Sequence, residues 1–88
     1  MSYRVTWEQD AVEALDKLDA TIVHRIFIRI SWLAINIENI KPQALARRLR
    51  GYYKLRTGNY RIIYSINHSD KEIVIEYIGH RRDIYNIS

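Results

Sequence analysis

Residues 52–64 read YYKLRTGNYRIIY: two apolar runs around Gly58 and Asn59, with Lys54, Arg56 and Arg61 crowded about the join. Gly and Asn tolerate turn geometry, so the stretch predicts a β-hairpin. Strand side chains alternate between faces, and a one-residue slip in pairing inverts both faces. If the turn spans residues 57–60, Arg56 opposes Arg61 and Lys54 opposes Ile63. One face then carries Tyr53, Leu55, Ile62, Tyr64 and Ile66, a surface suited to a core. The other carries Tyr52, Lys54, Arg56, Arg61, Ile63 and Ser65. A three-residue turn would put Arg56 with Ile62, which is harder to bury. The pattern therefore predicts the register that gathers all three cations on one side. Like charges opposed across strands cost only ~0.2–1 kcal/mol. No stability argument asks for that penalty, and a bound anion would remove it.

Working outward, residues 72–78 read as a third strand after the turn HSDK, and residues 84–87 as a short tail strand. Ahead of the hairpin, residues 3–6 form a short starting strand. Thr6-Trp7-Glu8-Gln9 fits a capping box, and Trp7, Ala11, Ala14, Leu15 and Leu18 recur at helical spacing, which predicts a helix over 7–18. Asp19 is placed to cap a second helix over about 20–37. On that helix Ile22, Ile26, Ile30, Leu33 and Ile37 supply one apolar stripe, while Ile28, Trp32 and Ile35 supply another. A helix apolar around so much of its circumference is covered on more than one side, and in so short a chain a partner protein is the expected source of that cover. After a break at residues 38–42, QALARR reads as a further helical turn. The order βαα(α)βββ predicts an α+β domain with the helices on one face of a small, mainly antiparallel sheet.

With 88 residues the chain suits one domain spanning 1–88. It has no cysteine, no apolar run near the ~18–20 residues of a membrane span, and an N-terminus that turns acidic at once. The expectation is a cytoplasmic protein that works away from membranes. Residues 1–44 hold five Lys/Arg against six Asp/Glu, a net of −1, whereas residues 45–88 hold nine against four, a net of +5. Seven of those nine cations are arginine, whose fork of donors matches phosphate. A phosphate-bearing partner is indicated. The scattered histidines lack metal-ligand spacing, so neither metal nor cofactor is expected; His24 reads as a helix residue and His68 as a turn residue.

The hairpin cations have companions in YIGHRRDIY, residues 77–85. Gly79 permits a bend or a close backbone approach, and His80, Arg81, Arg82 and Tyr85 follow it. Alternation splits Arg81 from Arg82, which is free to pair with Asp83 or Glu76. Arg47, Arg48 and Arg50 form a further basic run, suited to a solvated helix end or to an RNA backbone.

LRGYYKLRTGNYRIIYSI followed by VIEYIGHRRDIY resembles the RelE/ParE superfamily of bacterial toxins, the toxic halves of type II toxin–antitoxin operons. The resemblance covers nearly the whole chain and implies helices packed on a small, curved antiparallel sheet. RelE-like members cleave mRNA in the ribosomal A site without a metal, using basic residues on the concave sheet face and an aromatic near the C-terminus. Matching motifs place Lys54, Arg61, Arg81 and Tyr85 in those positions, with Arg56 beside them. The implied reaction is 2′-hydroxyl attack giving a 2′,3′-cyclic phosphate. It needs a base, cations for the phosphorane and an acid for the 5′-oxygen. Arg61 and Arg81 suit the cationic role, Lys54 is a candidate base, and His80 is an alternative acid or base. Tyr85 and Tyr52 are candidates to stack on a splayed base, and Arg47, Arg48 and Arg50 to hold ribosomal RNA.

The chain departs from the pattern in two ways: some members have a second lysine where Tyr52 stands, and the tail ends at Ser88 without room for a terminal helix. The implied partners are a small, acidic, DNA-binding cognate antitoxin, and mRNA with ribosomal RNA on the 70S ribosome. Operator DNA is reached only through the antitoxin complex. The alternatives are a ParE-like inhibitor of DNA gyrase without nuclease activity and a relic that only binds its antitoxin or operator DNA. The antitoxin is expected to cover the cationic face or to grip the exposed stripe of Ile28, Trp32 and Ile35.

Overall fold

The hairpin forms in the register that gathers the cations. In the computed structural model, which describes residues 2–45 and 50–80, strands β3 (Tyr53–Thr57) and β4 (Tyr60–Asn67) pair antiparallel with Arg56 opposite Arg61 and Lys54 opposite Ile63. Gly58 takes φ +59° at the first central turn position, the conformation a type II′ hairpin turn asks of glycine. Before them lie β1 (Arg4–Trp7), α1 (Gln9–Asp16), α2 (Ala20–Asn36) and β2 (Gln43–Ala44); β5 (Glu72–His80) follows. The strand order is β1-β5-β4-β3-β2, antiparallel except for the parallel pair β1 and β5.

Both helices cover one face of this five-stranded sheet. Ala11 of α1 and Ile26, Ile30, Leu33 and Ala34 of α2 pack with Leu55, Ile62, Tyr64, Ile73, Ile75 and Ile78 into a single core. Tyr53 and Ile66 sit at its margin, so the expected core face of the hairpin is the observed one. Burying a side chain of this kind contributes roughly 1.5–3 kcal/mol. The α2 stripes also separate as expected: Ile22, Ile26, Ile30, Leu33 and Ile37 face the core, while Ile28 (57 % exposed), Trp32 and Ile35 (61 % exposed) do not. Asp19 caps α2 by accepting from the Ile22 N–H at 3.0 Å. At the other end the Asn36 side-chain amide donates to the Trp32 carbonyl at 2.8 Å.

Three local expectations are corrected. The capping box does not form: Thr6 and Trp7 belong to β1, whose ladder partners are Val74 and Ile75, and Glu8 is the N-cap without a side-chain bond. A continuous ladder to β5 satisfies the backbone there, so α1 starts at Gln9, not at residue 7. Trp7 therefore leaves the helix and meets Phe27 edge to face, with ring centroids 5.4 Å apart. The expected helical turn at QALARR begins instead as strand, since Gln43 and Ala44 pair with Lys54 and Tyr53. The unpaired edge of β3 offers Gln43 and Ala44 a ladder, and that pairing takes the place of the local helical turn. The tail strand near 84–87 lies outside the described residues. No helix among the described residues is long and apolar enough to cross a membrane.

Candidate functional site

The sheet face turned away from the helices carries the cations. Lys54 and Arg56 alternate with the core residues Tyr53 and Leu55 on β3, and Arg61 precedes the core residue Ile62 on β4. Arg56 is exposed and Lys54 half-buried, whereas Arg61 is only 8 % exposed. Ile63, opposite Lys54, is buried yet stands outside the helix-side core, which marks it as the apolar floor of the open face. Arg56 and Arg61 thus set two guanidinium cations opposite each other on adjacent strands.

Strand order answers a point that the sequence leaves open. β5 lies beside β4, and Gly79 pairs with Arg61. The end of β5 that leads into Arg81 thus reaches the row of Arg56 and Arg61, and Gly79 sets no side chain beside the buried guanidinium. Arg81 and Tyr85, the other expected catalytic residues, lie outside the described residues, as do Arg47 and Arg48. Arg50 is exposed in the turn before Gly51. Tyr52 is exposed just ahead of β3, and its carbonyl accepts from the Leu45 N–H at 3.1 Å.

His80 is placed apart from this group. It pairs with Tyr60 and follows the core residue Ile78 by two positions, so it points to the helix side. There its ring meets that of Tyr60 edge-on at 5.5 Å. Both line a cleft of about 410 Å³ with Asp10 and Glu13 of α1 and Lys17, the residue that caps its C-terminus. Strand alternation thus separates His80 from Lys54 and Arg61, although the sequence sets it one residue from Arg81.

Other contributions are not legible from spacing. Arg29 of α2 donates from Nε to the Arg56 carbonyl at 3.2 Å, and its guanidinium lies 4.3 Å from the Trp32 ring centroid. This contact ties the exposed face of α2 to the outer edge of β3, beside a cleft of about 250 Å³ that Lys54 and Tyr64 also line. Burial raises the Tyr64 phenol to about 12, with the neighbouring Tyr53 adding to the shift, so it stays neutral at any physiological pH. Glu76 stands on the open face bonded to Ser65. The one sequence signal for its position is a broken alternation in β5, where apolar residues follow at two and then three positions. Among the described residues no group of three or more His, Cys, Asp or Glu side chains lies close enough to hold a metal ion.

Comparison with known proteins bears on this arrangement. Residues 5–85 match the family model described as the ParE toxin of the type II toxin–antitoxin system parDE. The chain is 30 % identical over 86 residues to Toxin RelG of Mycobacterium tuberculosis, a match covering 97 % of this chain and 98 % of that protein. It superposes on the toxin–antitoxin complex RelBE2 of M. tuberculosis with a TM-score of 0.78 and 26 % identity, over 92 % of this chain and all of that one. The archaeal RelE–RelB complex of Pyrococcus horikoshii gives a TM-score of 0.71 and 29 % identity, over 92 % of this chain and 97 % of that one.

Proposed function

The chain belongs to the RelE/ParE superfamily of toxins from type II toxin–antitoxin systems, and from that premise we propose that it is a ribosome-dependent endoribonuclease cutting mRNA in the ribosomal A site. The observation that carries this reading is the gathering of Lys54, Arg56 and Arg61 on one open sheet face, backed by a continuous core. RNA is laid across that face. The 2′-hydroxyl beside the scissile phosphate attacks phosphorus, the bond to the 5′-oxygen breaks, and a 2′,3′-cyclic phosphate remains. Arg61, buried and held by its strand, meets the charge that builds on the phosphorane, and Arg56 extends the grip along the backbone. Preorganised positive charge does here what a metal ion does in other nucleases. Lys54 takes the 2′-hydroxyl proton, the leaving 5′-oxygen takes a proton from solvent water, Arg81 adds a further guanidinium and Tyr85 stacks on a base. His80, on the helix side, has no part in proton transfer. Arg47, Arg48 and Arg50 hold ribosomal RNA.

The antitoxin is a RelB-type protein. The M. tuberculosis and P. horikoshii neighbours are complexes with such partners, and this chain offers the Ile28, Trp32 and Ile35 face to one. The second reading, inhibition of DNA gyrase, is favoured by the ParE description of the matching family.

A cell-free translation assay with primer extension separates the two. The unaltered chain is expected to produce cuts within A-site codons. Arg61→Ala should lower the rate by roughly 10²–10³-fold, the scale of removing one oriented donor to a developing oxyanion, while circular dichroism reports a retained fold. Intact ribosome-bound mRNA together with stalled gyrase would establish the gyrase reading instead.

A further inference from the structure

Among the described residues of β5, two carboxylates lie on the sheet face turned from the helices: Glu72, at the far end and ion-paired to Arg4, and Glu76, beside Ser65. In β5 the side chains of Ile73, Ile75 and Ile78 all reach the core, a spacing that strict alternation forbids. The register explains it: Tyr64 pairs with Ile75 and Ile63 with Tyr77, which leaves Glu76 as the extra residue of a β-bulge. Bulges re-aim side chains and recur beside active sites. Here the bulge brings Glu76 to the open face, where its Oε2 accepts from the Ser65 hydroxyl at 2.8 Å. Ser65 belongs to that face because Tyr64 and Ile66 on either side of it pack on the core. The next residue, Tyr77, stands in one row with Ile63 and Lys54.

A carboxylate repels phosphate, so this group is unsuited to the RNA backbone that Lys54, Arg56 and Arg61 attract. A carboxylate accepts hydrogen bonds and donates none, and Ser65 occupies one of its roughly four acceptor sites. What fits the remaining sites is a donor carried by a neutral group, and on RNA lying across this face that donor is a base edge. We infer that Glu76, seated by Ser65, reads the Watson–Crick edge of one mRNA nucleobase and favours the amino-bearing bases cytosine, adenine and guanine over uracil. An amino N–H meets the free lone pairs of the carboxylate, as glutamate accepts from cytosine N4 in major-groove readout. Uracil has no amino group: its one Watson–Crick donor, N3–H, lies between two carbonyl oxygens, so a carboxylate that accepts from it meets an acceptor on either side. The assignment rests on the ribonuclease reading above.

The test measures cleavage on ribosomes programmed with A-site codons that differ by one base at each position in turn, for the unaltered chain, Glu76→Gln and Ser65→Ala. At one codon position the unaltered chain should cut uracil-containing codons roughly tenfold or more slowly than their amino-bearing counterparts, the scale of one well-made base contact. Glu76→Gln presents a donor as well as an acceptor and should erase that difference. Ser65→Ala frees the carboxylate to move and should narrow it. A uniform fall across all codons in Glu76→Gln would make Glu76 a general electrostatic or proton-transfer group and overturn the assignment, as would an unchanged codon ranking. If the unaltered chain cuts no ribosome-bound mRNA at all, the ribonuclease reading itself fails and the assignment falls with it.

Discussion

Tyr64 fills the centre of the sheet, 1 % exposed, with its phenol raised to about 12. The protonated phenol is the form the folded chain favours, since burial disfavours the phenolate. A tyrosine of the unfolded chain titrates near 10. The stability of Tyr64 is therefore fully present below pH 10 and lost as pH rises from about 10 towards 12. Thermal melts over that range should show the unaltered chain losing more stability than Tyr64→Phe; parallel curves for the two would refute it. Individual residues of the site were legible to different degrees. Lys54, Arg56 and Arg61 share a face in the sequence pattern and in the structure, because alternation along two short strands leaves one sensible way to bury Leu55, Ile62 and Tyr64. His80 stands on the helix side for the same physical reason: one residue of strand reverses a side chain, and proximity in sequence to Arg81 does not carry over to a shared face. The face that Glu76 takes is hidden from the sequence because a bulge breaks the two-residue period on which face assignments rest.

Among the elements, α2 shows how local chemistry and tertiary demand combine. Its isoleucine-rich run has strand-like composition, yet Asp19 at the N-cap and a core stripe at helical spacing make it a helix. Asp19→Ala leaves an N-terminal N–H without its partner and should cost about 1 kcal/mol, read as a lower midpoint in urea with an unchanged slope; no loss would mean that water serves as well. The start of α1 and the residues after Pro42 went the other way. A capping box and a helical turn are local preferences worth about a kilocalorie per mole, and each gave way to a ladder along an open strand edge, at β5 in one case and β3 in the other. Short elements are where sequence reading is weakest, since few residues supply the local term and the tertiary partner decides.

At the scale of the molecule, the α+β layering leaves two surfaces for partners: the cationic sheet face, and the α2 face where Ile28, Trp32 and Ile35 stay exposed beside Arg25 and Arg29. Replacing both Ile28 and Ile35 by Ala should leave the melting temperature nearly unchanged, since neither side chain is in the core and alanine suits a helix. The same change should weaken binding of the cognate antitoxin by roughly 30-fold or more in a titration, the scale of losing an interface hot spot. Unchanged affinity would put the antitoxin on the cationic face. The sequence by itself determined the α+β class, the second helix with its cap and two stripes, the hairpin register and the side of the cations. Each of these follows from a periodicity of two or 3.6 that acts within one element or one pair. Only the tertiary structure decided that β1 runs parallel to β5, that Gly79 lies beside Arg61, that His80 faces α1 and that a bulge turns Glu76 to the open face. Those facts depend on which strands become neighbours, a contest between ladders far apart in the chain that no local period records.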